Sequence, residues 1–202
     1  DPFGYVVIIG DMMNMGLRNS KSNVYEENLS PMEQKELCYE LLSPIADKIL
    51  AGCSGNHEYR AVKEVGMNPL YDVFCRMRIE DRYRDNACFI KLTVGKQGKN
   101  PNTYGVVLTH GSSKNKDEKW TYSVDGCDCF ISGHTHLGTH QPMGKIRMDL
   151  SHNKVKLVGY QHIVVLPFQR YGGYAVRGKY MPNSLGQFQR ITFDGSTKKV
   201  GY

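Results

Sequence analysis

Cys129-Phe130-Ile131-Ser132-Gly133-His134-Thr135-His136 decides how this chain reads. An apolar run ends in glycine, and two histidines follow, two positions apart. Side-chain direction repeats every two residues in an extended segment, so both imidazoles are expected to face one ion. The glycine in front lets the backbone turn sharply as it leaves a strand. By itself the pattern is weak, since His-x-His is as readily a surface loop. Three upstream stretches strengthen it by repeating the form. Val6-Val7-Ile8-Ile9 ends in Gly10-Asp11, Ile49-Leu50-Ala51-Gly52-Cys53 leads into Ser54-Gly55-Asn56-His57-Glu58, and Val106-Val107-Leu108-Thr109 ends in His110-Gly111.

Working outward from these turns, residues 5 to 9 read as a fully buried strand of the kind found in sheets covered on both faces. Asp11 then sits at its carboxyl end, where open α/β sheets bind ligands. Residues 12–28 read as a long polar loop, and long loops in compact domains are often functional. Ser30-Pro31-Met32-Glu33 is a helix start, with a serine cap, proline in the first turn and glutamate completing a capping box. Pro44 is expected to kink or divide that helix. Further expectations are a strand over 49–53, a helix over 68–77, strands over 88–94 and 104–109 joined by a loop at 95–103, and partial helix within 112–123. A short buried strand over 127–131 precedes the His-x-His. Strands are then expected over 145–150, 154–166, 174–180 and 187–193, with a hairpin turn at Ser151-His152-Asn153. Helices and strands alternate early and strands dominate late, so a second sheet should pack on the first.

The chain of 202 residues suits one domain with a real core. Its 40% hydrophobic and 23% charged residues are ordinary for a globular chain. No apolar stretch approaches the roughly 20 residues of a membrane helix, which argues against a membrane partner. Lys+Arg 26 against Asp+Glu 20 gives a net charge of +6, a mild bias toward anionic substrates or nucleic acid. The six cysteines (Cys38, Cys53, Cys75, Cys88, Cys127 and Cys129) form no CxxC pair and mostly sit in apolar runs. That usage points to a reducing, cytoplasmic setting without a disulfide framework.

Taken together, Gly10-Asp11, Gly55-Asn56-His57-Glu58, His110-Gly111 and Gly133-His134-Thr135-His136 resemble the motifs of the calcineurin-like metallophosphoesterase family, in that family's order. The resemblance covers most of the chain. It implies a single domain over residues 1–202, folded as a two-sheet α/β/β/α sandwich with the site at the strand ends. It also implies a hydrolase using two divalent transition-metal ions. Imidazole and hard oxygen donors suit Mn, Fe, Zn or Ni better than Ca or Mg. In the family's scheme Asp11 bridges the two ions, Asn56, His110 and His134 bind one, and His136 binds the other. His57 is catalytic there, donating a proton to the leaving oxygen or orienting the scissile phosphate. Asn14 and Arg60 are candidate substrate contacts, although Arg60 reads more readily as a surface arginine. His140, His152 and His162 match no family motif and read as a residue near the site, a hairpin tip and a strand residue. Singly, Asp11 and Asn56 could be turn residues and His110 a satisfied core histidine.

One departure matters. The family opens with a strand ending in Asp-x-His and a first helix, whereas ten residues without histidine precede Asp11 here. The expectation is therefore a fragment truncated at its N-terminus, with the second metal site incomplete and association into a homo-oligomer one outcome. The expected activity is phosphoester hydrolysis. A phosphodiester, in nucleic acid or a nucleotide, is preferred on the basic charge and the 12–28 loop. The alternative is a non-hydrolytic metal-binding scaffold or interaction module with an incomplete dinuclear site.

Overall fold

The computed structural model describes residues 1–18, 20, 25, 27–95, 100–168, 171–182 and 188–202. Residues 19, 21–24 and 26 of the expected polar loop lie outside the described residues, as do 96–99 of the 95–103 loop and 187 of the last expected strand. The architecture is α/β, with parallel and antiparallel strand pairs and several helices. The chain divides into two compact units, Asp1–Cys88 with Leu108–His110, and Phe89–Val107 with Gly111–Tyr202.

The first unit carries a three-stranded parallel sheet in the order β1 (Val6–Ile8), β2 (Ile49–Cys53), β3 (Tyr83–Arg84). β2 lies in the middle and is buried except at Leu50, which explains its near-continuous apolar run. Between β1 and β2 runs α1 (Pro31–Leu42). It starts where the sequence predicts, because Ser30 and Glu33 bond reciprocally to each other's backbone N–H groups. It stops at Leu42 because Pro44 has no N–H to continue the ladder, and a 3-10 segment (Ser43–Lys48) leads into β2. After β2 come α2 (Glu58–Val65), ended by left-handed Gly66, and α3 (Pro69–Arg76), capped by the Asn68 side chain on Tyr71 N at 3.1 Å. Leu70, Val73 and Phe74 of α3 are fully buried, each contributing about 1.5–3 kcal/mol by leaving water. The stretch after Asp11 is less polar in effect than its sequence implies. Met13 and Met15 drop into this core beside Ile8, Leu42 and Phe74, and flexible thioethers fill such irregular gaps.

The second unit holds most of a five-stranded sheet. Its order is β4 (Ala87–Val94), β5 (Asn102–Thr109), β6 (Cys129–Ser132), β8 (Lys154–Val164), β7 (Thr139–Asp149). β6 is buried throughout and pairs parallel with β8, while β7 pairs antiparallel with β8 along its whole length. Trp120 of α4 (Lys114–Thr121) packs edge-on to Phe130 of β6, ring centroids 5.2 Å apart. β7 begins at Thr139 rather than at 145. It is an edge strand, where Pro142 costs no essential ladder bond. The strand expected over 174–180 is instead a short helix, α5 (Tyr174–Arg177). Its backbone is satisfied locally, Arg177 N donating to Gly173 O at 3.2 Å and Tyr180 N to Ala175 O at 2.9 Å, so it needs no partner strand. The last expected strand is reduced to β9 (Thr192–Phe193), paired antiparallel with β10 (Val200–Gly201). All six cysteines are free, and every one but Cys75 is buried. No helix among the described residues is long and apolar enough to cross a membrane.

Candidate metal centre

In the first unit the turn after β1 and the turn after β2 abut. Gly10 takes φ 83° and Asp11 φ 53°, both left-handed. A Cβ on Gly10 would lie 2.1 Å from Gly55 N, and one on Gly55 would lie 2.1 Å from Asp11 Oδ1. Only glycine admits that approach. Asp11 has no such freedom, and its conformation costs about 1–3 kcal/mol unless its surroundings fix it. Glu58, 0% exposed at the start of α2, does so. Its Oε2 accepts from Asp11 N at 2.9 Å and Gly55 N at 2.8 Å, and its Oε1 from Met12 N at 2.8 Å and Met13 N at 3.2 Å. Burial raises the Glu58 pKa, the Gly55 N–H opposes that, and the nearby charge of Asp11 reinforces it. Sequence reasoning carried Glu58 in the motif without a role. An acid in the first turn of a helix reads only as a partner of the helix dipole.

His110 follows β5 and is buried. Its Nδ1 lies 2.7 Å from the Ile9 carbonyl oxygen, which only accepts, so Nδ1 carries the hydrogen and donates. Nε2 then faces two oxygens, Asn56 Oδ1 at 3.0 Å and Asp11 Oδ2 at 3.3 Å. A neutral ring with its hydrogen on Nδ1 offers only a lone pair there. The arrangement therefore calls for a proton on Nε2 or a cation shared by all three groups. Burial by itself would lower the His110 pKa, but the bond and charge of Asp11 carry it above its ordinary value. Asp11 is the mirror case: burial would raise it, but His110 and then His57 hold it below the usual carboxylate range. His57 donates its backbone N–H to Asp11 Oδ1 at 2.9 Å, and its ring Nε2 lies 3.6 Å from Asp11 Oδ2.

The structure thus brings Asp11, Asn56, His57 and His110 together. Asn14 and Arg60, 46 residues apart in sequence, are in contact, Arg60 Nη1 donating to the Asn14 carbonyl at 2.7 Å, while the Asn14 amide also bonds Glu27. These bonds tie α2 to the loop after Asp11.

In the second unit His134 and His136 follow β6. Both take left-handed φ, 63° and 57°, so the segment is not extended and alternation of side-chain direction does not apply to it. Just before them Ser132, fully buried, lies 3.1 Å through Oγ from Nε2 of His162 on β8. His162 Nδ1 is buried with no hydrogen-bond partner among the described residues. Burial lowers its pKa, and the charges of Asp117 and Glu118 only partly oppose that. Asp117 is buried in α4 and accepts from Ser112 N at 3.0 Å, holding the turn that follows Gly111. His140 lies 2.8 Å through Nε2 from Gln161 Oε1, and His152 sits at the hairpin tip, 2.9 Å through Nδ1 from Asp149. The Ser132–His162 pair and Asp117 had no signal in the sequence beyond lying in apolar or polar runs.

Chemically, one carboxylate, one amide oxygen and one imidazole nitrogen gathered about His110 Nε2 form a donor set that suits a first-row divalent metal. The carboxylate has a second oxygen for another ion. Comparison of the chain with family models, curated proteins and solved structures gives no match.

Proposed function

We propose that this chain is a metal-dependent phosphoester hydrolase with the two-sheet fold of the metallophosphoesterase type, acting on a phosphodiester. The observation that carries the reading is His110 Nε2, whose Nδ1 hydrogen is committed to Ile9 while Nε2 faces the oxygens of Asp11 and Asn56. Asp11, Asn56 and His110 would hold one ion, and the Asp11 carboxylate would share a second. Two such ions, when bound, supply Lewis acidity at phosphorus and a nucleophile at neutral pH. Glu58 keeps the Asp11 carboxylate turned toward them, and His57 hands a proton to the leaving oxygen. Mn, Fe, Zn or Ni fits the donors, and a net charge of +6 favours an anionic substrate such as nucleic acid. The second reading is a metal-binding module without turnover, which the same three donors about His110 Nε2 would also serve.

One experiment separates them. The chain is loaded with manganese, its metal content is measured by mass spectrometry, and it is assayed on an aryl phosphodiester, an aryl phosphomonoester and single- and double-stranded DNA. Metal-dependent diester cleavage supports the hydrolase, bound metal without cleavage supports the module, and no bound metal overturns both. His57→Ala should retain the metal while turnover falls by roughly 10²–10⁴-fold, the scale of a lost general acid. Loss of the metal instead would make His57 a ligand.

A further inference from the structure

β7 and β8 outrun the sheet that carries them. β6 pairs with β8 only at Gln161–Val164, so from Lys154 to Gly159 the hairpin's one strand partner among the described residues is β7. A lone two-stranded ribbon is marginal in water. This one also exposes an apolar face. Ile146 pairs across from Leu157 and Met148 from Val155, which places all four on one side of the ribbon, with Leu150 beyond. They are 74%, 80%, 70%, 71% and, for Leu150, 80% exposed. Next along the same side comes the cross-strand pair Gly144–Gly159. The face is thus a ridge of large side chains beside a floor with none.

We propose that this face is the interface between two copies of the chain. Two observations select a second copy as the occupant. The first is charge. The ribbon's cations, Lys145, Arg147, Lys154 and Lys156, fall on the opposite side by register, three of them paired there with Asp125 and Asp149, so the apolar side carries no lysine or arginine with which to attract nucleic acid or an anionic lipid surface. The second is shape and size. Leu157 leans over Gly144 within one copy, and a two-fold axis would set this continuous apolar face against its own equivalent, the self-matching that an isologous contact requires. A patch of five large side chains, each 70–80% exposed, belongs with the largest that monomers leave uncovered, roughly 300–600 Å². With the glycine floor and the ribbon backbone, that approaches the roughly 800 Å² per partner of a standard interface.

The test is sedimentation velocity of the full chain across a range of concentrations, with Leu157→Lys and Ile146→Lys on the apolar side and Lys156→Gln on the other. The wild type and Lys156→Gln should sediment as dimers. Each lysine variant should be monomeric, with the dissociation constant raised at least about 100-fold and the far-ultraviolet dichroism unchanged, because both positions are solvent-exposed in one copy. A monomeric wild type, or a dimer indifferent to both lysine variants, overturns the proposal. So does a wild-type monomer that floats with phosphatidylcholine vesicles, which would assign the face to a membrane surface.

Discussion

His110, just after β5, and His162, on β8, are both buried histidines of one chain, yet their pKa values are shifted in opposite directions. His110 has Asp11 against Nε2, and its pKa lies above the ordinary value of 6.5. His162 has a neutral hydroxyl against Nε2, Phe130 edge-on at 5.3 Å and an Nδ1 without a partner among the described residues, and its pKa lies below 6.5. Burial is common to the two. What separates them is what faces each ring nitrogen: the Ile9 carbonyl and the Asp11 carboxylate favour a protonated His110, and His162 has only a hydroxyl against Nε2.

The largest expected effect comes from removing the first of the pair. His110→Ala should lose the metal and cut metal-dependent turnover more than about 10²-fold, beyond what loss of a ligand's partner costs. His162→Phe should retain the metal. If the two variants lose metal equally, the contrast fails. Next in size is Glu58→Gln. Each Glu58 oxygen accepts two backbone N–H groups, so whichever way the amide is turned, two donors face an NH₂. That should cost about 2–3 kcal/mol, lowering the melting temperature by about 4–12 °C for a chain of this size. Metal affinity should fall with it as Asp11 loses its fixed turn, and an unchanged melt would show that the carboxylate is dispensable.

The smallest effect is the sharpest. With chelator present, the two rings should tilt the pH dependence of stability in opposite directions. His110, raised in the folded state, contributes stability that is complete below pH 6.5 and lost as pH rises through its folded value. His162, lowered, binds its proton more readily unfolded, so stability falls as pH drops below 6.5 toward its folded value. Thermal melts from about pH 5 to 8 should therefore show His162→Phe less acid-sensitive than the wild type, and His110→Ala having lost stability chiefly on the acid side. Slopes of the same sign for both variants would refute the assignment.

Much of this was legible beforehand, for local reasons. Ser30, Glu33 and Pro44 bound α1 through bonds a few residues long. The apolar runs before Asp11, Asn56 and His110 mark strands, but the run over 5–9 is not fully buried as its sequence suggests: Tyr5 and Val6 are exposed and only Ile8 of β1 is buried. The rest depends on distant partners. Nothing local tells that Glu58 collects N–H groups 45 to 47 residues away. Nor does anything local tell that Met13 and Met15 seal a core, or that Pro142 falls on an edge strand. The His134–His136 turn was misjudged because an alternating pattern was assumed where the backbone is left-handed.

The bond from His110 to the Ile9 carbonyl spans 101 residues. Closing a flexible loop of that length costs about 4 kcal/mol of chain entropy, several times the roughly 1 kcal/mol that one hydrogen bond returns. The imidazole is therefore delivered by β5 rather than recruited by its own contacts. Leu108–His110 belongs with a unit whose remaining residues end at Cys88. Cutting the gene after Cys88 would look like a clean excision of a sheet and its helices, yet the excised piece would leave behind the imidazole that faces Asp11 and Asn56.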